Sequence, residues 1–267
     1  MITYPFNYKR AKSVADAVEM LKNSPDGKLL AGGQTLIAAM KMRLANPSDL
    51  IDISGIKELS YMRASGDAIA IGAATTHFDV ANSADVKKAI PALAYLASII
   101  GDPAVRHKGT LGGSVANNDP AADYPAAVLG LNATVKTNKR SIGAEVFFTG
   151  MFSTALEEGE IVTEISFPIP QKASYKKFAN PASRYAMAGA FVAKLKDGSI
   201  RVAITGAGPC VFRVPQMEAA LAKSFTPDAV AKIIVDASGL NSDIHGSAEY
   251  RANLVTVMAK RAVAEAA

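Results

Sequence analysis

The sequence predicts an α+β protein of 267 residues arranged as two domains, on three observations. Residues 1–57 alternate short apolar strands with runs of helical periodicity. From 58 to 173 the texture changes to a hairpin, a helix and a long glycine- and proline-rich passage. Pro168 and Pro170 then close a strand, and residues 174–267 return to strands, a tight hairpin and helices. The expected domains are therefore 1–173, with subdomains of about 1–57 and 58–173, and 174–267. A chain this long buries a substantial core.

Ser13 with Asp16 three residues on is a helix-starting pattern, and Val14, Val18 and Leu21 share one face of the helix that follows. Asp26-Gly27 turns the chain into the strand Leu29-Leu30. A helix then runs through Leu36-Ile37-Ala38-Ala39-Met40, is broken at Asn46-Pro47-Ser48, and leads to the buried strand Leu50–Ile53. Tyr61-Met62-Arg63 and Ala68–Ile71 pair about the turn Gly66-Asp67. A helix is expected from about Ala92 to Ile100 and a strand over Glu160–Phe167. Lys172-Ala173-Ser174 has the composition of a linker. Beyond it, Tyr175–Phe178, Ala190–Lys196 and Ile200–Ile204 read as strands, the last two joined by a hairpin at Asp197-Gly198. Thr226-Pro227-Asp228 starts a helix expected to end near Gly239. Tyr250, Leu254, Val257 and Met258 form the packing face of the final helix.

Composition narrows the function. No apolar run reaches the roughly eighteen residues of a membrane span, and the Met1–Pro5 start has no leader pattern, so a cytoplasmic protein is expected. The net charge of +5 is scattered, with neither a basic block nor a tryptophan, which argues against nucleic acid. The single cysteine, Cys210, excludes an internal disulfide and a thiolate cluster. His77, His107 and His245 lack metal-ligand spacing and are expected on the surface or hydrogen-bonded, so no metal site is assigned. Gly206, Gly208 and Pro209 match no phosphate-loop pattern and read as turn residues.

Two glycine pairs carry the chemistry. In Ala31-Gly32-Gly33-Gln34-Thr35-Leu36 a strand ends, two residues without Cβ follow, and a helix begins; such a turn lets an anion approach backbone N–H groups. An ordinary strand-turn-helix junction has the same pattern. Thr110-Leu111-Gly112-Gly113-Ser114 repeats the pair between two hydroxyls and runs into Asn118-Asp119-Pro120-Ala121-Ala122-Asp123, groups suited to phosphate and ribose. A polar surface loop is the alternative reading of this passage by itself; together the two pairs suit one long ligand.

These motifs, with Ile71-Gly72-Ala73-Ala74-Thr75-Thr76-His77 between them, resemble the FAD-binding medium subunit of molybdenum hydroxylases from Tyr4 to the last helix. The pattern is nearest to carbon monoxide dehydrogenase medium subunits and more distant from the xanthine dehydrogenase flavin domain. The resemblance implies a two-subdomain FAD-binding fold of the vanillyl-alcohol-oxidase type, followed by a smaller α+β domain of antiparallel sheet and helices. It implies noncovalent FAD whose pyrophosphate is gripped by both glycine pairs, residues 31–36 and 110–114, with Thr75 as a further contact. Asp123 would serve the ribose and adenine side, and Ile161 and Val162 would lie beside the rings. Lys177 would approach the cofactor and Tyr185, in Asn180-Pro181-Ala182-Ser183-Arg184-Tyr185, would cover one flavin face. Catalytic residues are not otherwise assigned. The implied function is electron transfer from the [2Fe-2S] clusters of a small subunit, fed by a large molybdenum-cofactor subunit, to an external acceptor, in a dimer of heterotrimers. A self-sufficient flavin oxidoreductase of the same fold, with His77 as a covalent anchor, and a noncatalytic scaffold are the alternatives.

Overall fold

Leu50 and Ile51 lie buried on the middle strand of a three-stranded parallel sheet, whose backbone is paired on both edges. The structure, a computed structural model, describes residues 2–266; Met1 and Ala267, the outer limits of the two expected domains, lie outside the described residues. In this first lobe β1 (Asn7–Arg10) and β2 (Lys28–Leu30) both run parallel to β3 (Asp49–Asp52). Parallel strands need crossovers, and α1 (Val14–Lys22) and α2 (Leu36–Lys41) supply them. Ser13 caps α1 by accepting the Asp16 N–H at 3.1 Å, and Asp16 accepts the Lys12 N–H at 2.7 Å. The glycine turn Ala31–Thr35 joins β2 to α2.

The second lobe holds the hairpin β4 (Met62–Ser65) and β5 (Ala68–Gly72), followed by a helical excursion. That excursion comprises α3 (His77–Asn82), α4 (Ala84–Ala89), α5 (Pro91–Ser98), α6 (Pro103–Arg106), α7 (Leu111–Asn117) and α8 (Tyr124–Gly130). Strands β6 (Thr134–Thr137) and β7 (Ser141–Gly143), the short α9 (Ala144–Phe147) and the small hairpin β8 (Phe148–Gly150) and β9 (Ser153–Thr154) lead to β10 (Val162–Pro168). Although last in sequence, β10 is central in the sheet, in the order β4-β5-β10-β6-β7.

The C-terminal domain is an antiparallel sheet of β11 (Lys172–Ala179), β12 (Ala186–Lys194), β13 (Ile200–Thr205) and β14 (Phe212–Arg213) with α10 (Pro215–Lys223), α11 (Pro227–Val230) and α12 (Ala248–Glu265). Every residue of β12 but Lys194 is buried, because helices cover both faces. Phe191 and Ala203 join the core of the second lobe under α5 and α8, whereas Val192, Val202 and Ile204 pack with Met258 and Ala259 of α12. The sheet is thereby shared between domains.

Four expectations are corrected. Lys172–Ser174 is not a linker but the start of β11, paired with Lys194–Val192 at the far end of β12; its polar residues reflect an edge strand. The helix expected over 226–239 is α11 alone. The β-branched run Ile233-Ile234-Val235 is a poor helix former, and Asp236 engages the Ser238 amide and hydroxyl in a local turn at 3.0 and 2.7 Å. On α12 the buried face is Leu254, Val255, Met258, Ala259, Ala262 and Val263. Tyr250 is exposed and Val257 only half-buried, because small alanines let the helix lie close on β12. The second glycine pair lies not in a loop but in the first turn of α7.

Candidate cofactor-binding site

All three parts of the chain contribute to one cavity of about 600 Å³. The first wall is the turn after β2. Gly33 adopts φ +69°, a conformation open to glycine and strained for residues with a side chain, and this reverses the backbone tightly ahead of α2. Among the described residues no protein group accepts the amide hydrogens of Gly32, Gly33, Gln34, Thr35 and Leu36. Five successive donors left free on a cavity wall at the start of a helix form a receptacle for an anion. The Gln34 side chain steadies the turn by donating to the Gly32 carbonyl at 3.1 Å.

The facing wall is the segment Gly109–Asn117. It reaches the cavity through pairing that the sequence does not announce: Thr76 bridges Thr110, the His77 amide donates to Gly109 O at 2.9 Å, and the Leu111 amide to Thr75 O at 3.0 Å. The two walls touch backbone to backbone, for a Cβ on Gly32 would collide with the Lys108 carbonyl and Gly109 Cα. Gly113 faces Ala31, whose Cβ lies 3.8 Å from the position a Gly113 Cβ would take.

The second glycine pair does not duplicate the first. Gly112 donates its amide to Ala73 O at 2.8 Å, Gly113 to Thr110 Oγ1 at 3.1 Å and Ser114 to Thr110 O at 3.0 Å. What this wall offers is the hydroxyls of Thr110 and Ser114, with glycines that keep the space between the walls open.

Beyond α7, Asp119, Ala122 and Asp123 line the cavity, on a loop tied to the end of β13 by Thr205 Oγ1 to Ala122 O at 2.6 Å and the Gly206 amide to Pro120 O at 2.8 Å. The Asp123 carboxylate is buried; it accepts from Tyr175 OH at 2.5 Å and Lys177 Nζ at 3.0 Å, and Lys177 also donates to Ile99 O at 3.0 Å. Burial pushes the Asp123 carboxyl above its ordinary range, with Lys177 and Tyr175 drawing it back.

The C-terminal domain adds Ser183, Arg184 and Tyr185. Asn180 shapes their loop by accepting from the Ala182 and Ser183 amides at 2.9 and 3.2 Å, and Arg184 has φ +63°. Tyr185 is half-exposed at the cavity, and burial with nearby Asp119 and Asp123 raises its hydroxyl pKa. Ile161 and Val162 supply apolar surface. They are steadied by Glu160, whose carboxylate takes Arg140 Nε at 3.0 Å and Thr137 Oγ1 at 2.7 Å and is lowered to about 2, chiefly by Arg140.

Of the residues expected from sequence, residues 31–36, Thr110, Gly112, Gly113, Ser114, Asp123, Ile161, Val162 and Tyr185 all line this cavity. Three do not. Thr75 is buried with its hydroxyl on Tyr61 O at 3.2 Å, Leu111 is in the core of the second lobe, and Lys177 stands behind Asp123. The cavity also takes in Lys28, Ile100, Val105 and Asn117, which carry no distinctive sequence signal, and Arg184 of the Asn180–Tyr185 segment. His77 lines it too and corrects an expectation: it is buried, neither ring nitrogen bonds a described protein group, and burial with the charge of Arg106 lowers its pKa to about 4.

An open amide turn, a hydroxyl-bearing wall against it and a long cleft reaching a half-exposed tyrosine define a dinucleotide-binding protein. Residues 4–170 match the FAD binding domain in molybdopterin dehydrogenase and residues 173–266 the CO dehydrogenase flavoprotein C-terminal domain, and the chain belongs to this family. It is 36% identical to the glyceraldehyde dehydrogenase medium chain of Sulfolobus acidocaldarius, over 99% of this chain and all of that one. It is equally, 36%, identical to the nicotine 6-hydroxylase medium subunit of Paenarthrobacter nicotinovorans, covering 97% and 96% of the two chains. Among solved structures, it superposes with TM-score 0.88 and 35% identity on carbon monoxide dehydrogenase from Hydrogenophaga pseudoflava, covering 99% of this chain and 98% of that one. The protein is an FAD-binding flavoprotein subunit of the molybdenum hydroxylase type, an oxidoreductase component. No helix among the described residues is long and apolar enough to cross a membrane.

Proposed function

We propose that this chain is the electron-output subunit of a cytoplasmic molybdenum hydroxylase. It accepts electrons from the [2Fe-2S] clusters of a small subunit, which are supplied by a large molybdenum-cofactor subunit, and delivers them to an external acceptor. The observation that carries this reading is the row of open amides at Gly32–Leu36 facing Thr110 and Ser114 across one cleft. That pairing suits a diphosphate, to which each charge-assisted hydrogen bond contributes about 1.5–3 kcal/mol. Asp123 and Asn117 suit ribose and adenine hydrogen-bonding groups, Ile161 and Val162 a ring face, and Tyr185 the exposed end of the flavin. Bound FAD supplies reversible two-electron chemistry.

The protein's share is to hold the flavin noncovalently, keep water from one face and present the other. With one cysteine, the chain has no ligand set of its own for an iron–sulfur cluster, so the clusters belong to a partner. The relatives' names span glyceraldehyde, nicotine and carbon monoxide at similar identity, which supports placing the choice of substrate outside this chain.

Purification of the complex under native conditions tests the proposal. The expected result is co-purification with a large and a small subunit as a dimer of heterotrimers, with substrate bleaching the flavin only when all three are present. A yellow protein that purifies alone and is bleached directly by an organic substrate contradicts it.

A further inference from the structure

His77 begins α3 at the point where the Thr75–His77 segment pairs with Gly109–Leu111, which brings its ring to the Gly109–Thr110 side of the cavity it lines. The residue is 4% exposed, and its Nδ1 is buried with no hydrogen-bond partner. Nε2 also lacks a protein partner among the described residues; it lies over Gly109, where a Cβ would come within 2.5 Å of it. The neighbouring aromatic ring, Tyr124 at 5.3 Å between centroids, gives no hydrogen bond to it.

Burial and the charge of Arg106 keep the imidazole neutral at physiological pH, so it carries one N–H and one lone pair. Of the two nitrogens, the sealed Nδ1 is better left as the lone pair, since a buried N–H without acceptor is the rarer arrangement. The donor then falls on Nε2. Gly109, beneath it, packs in turn on Gly32, the first residue of the open amide turn. Glycine at 109 thus keeps the ring, the turn and the cavity in contact. A donor without a protein acceptor in that wall is complementary to an anionic oxygen.

We propose that His77 is a further cofactor-binding residue, donating its Nε2–H to an oxygen of the dinucleotide diphosphate. It thereby adds a side-chain donor to the backbone donors of the facing wall.

The chain contains three histidines, so a ¹⁵N-imidazole NMR spectrum of the full-length deflavinated protein is simple to assign, with His77→Gln identifying the signal. Addition of FAD or of ADP is expected to move the His77 Nε2–H proton downfield and slow its exchange with water, while riboflavin leaves it unmoved. His77→Phe is expected to bind FAD about tenfold more weakly, and His77→Gln, which keeps a donor, to stay closer to wild type. Flavin bound, by its visible absorbance, with an unmoved His77 signal overturns the proposal, as does a response to riboflavin but not to ADP. Absence of bound flavin in the same sample removes the cofactor reading together with the proposal. The wild-type spectra decide the question even where His77→Phe does not fold.

Discussion

Gly33 combines two demands: its φ of +69° is strained for a side chain, and a Cβ would meet Ile37 Cδ1 at 2.7 Å. Gly33→Val is therefore expected to yield folded protein that retains less than about a tenth of the wild-type flavin, read from visible absorbance after gel filtration. Tyr185 makes the opposite prediction. Because it is half-exposed at the cavity rather than within the amide turn, Tyr185→Ala is expected to alter the flavin spectrum or turnover more than FAD retention; identical spectra and turnover contradict its placement. The residue-level site was legible wherever chemistry and backbone coincided, as at Gly32-Gly33-Gln34-Thr35. The place of His77 in the cavity wall was not legible, because it comes from a bridge between Thr76 and Thr110, a contact that local sequence does not encode. Glu160 was unmarked for the same reason. Its folded pKa, near 2, lies below its unfolded value, so the stability it contributes is present above about pH 4.5 and is lost as the pH falls toward 2. Glu160→Gln is expected to lower stability at neutral pH by about 1–3 kcal/mol and to flatten the acid limb of a urea-denaturation profile; an unchanged limb contradicts the assignment.

Strand β11 shows how an element fastens the cleft. Through Tyr175 and Lys177 it holds Asp123 at the start of α8, and through Lys177 it reaches Ile99 just past α5, so one strand of the C-terminal domain braces two helices of the second lobe. Lys177→Met leaves the Asp123 carboxylate buried without its cation and is expected to cost about 3–5 kcal/mol, measured by denaturant unfolding. Adding Asp123→Asn to Lys177→Met is expected to restore much of that loss; strictly additive losses contradict the pairing. Helical periodicity predicted α1, while short apolar runs bounded by turn residues predicted β3, β10 and the β12–β13 hairpin, the last through Asp197-Gly198. Periodicity did not predict α7, where glycines and polar residues form a helix capped by Thr110 and packed under Ala73, nor the irregular path after α11. There tertiary contacts override local preference.

At the scale of the molecule, the expected α+β architecture follows from where apolar surface is buried. The first lobe packs in a small core that also takes in Leu59, Ala74 and Ile161 of the second lobe, and the second lobe and the C-terminal sheet share a larger one through Tyr175 and Phe191. That shared core was invisible in the sequence, because a strand buried on both faces reads as a plain apolar run. It matters for function, since it fixes the Asn180–Tyr185 loop over a cleft whose other walls belong to different lobes. The central claim is that the free backbone donors of one wall, Gly32–Leu36, receive the diphosphate of FAD. Amide hydrogen–deuterium exchange of the full chain, with and without FAD, measures this most directly. The account predicts that FAD strongly slows exchange at Gly32–Leu36 and changes Leu111–Ser114 little, since those amides are already bonded within the protein. Bound flavin with unchanged exchange at Gly32–Leu36 would contradict it.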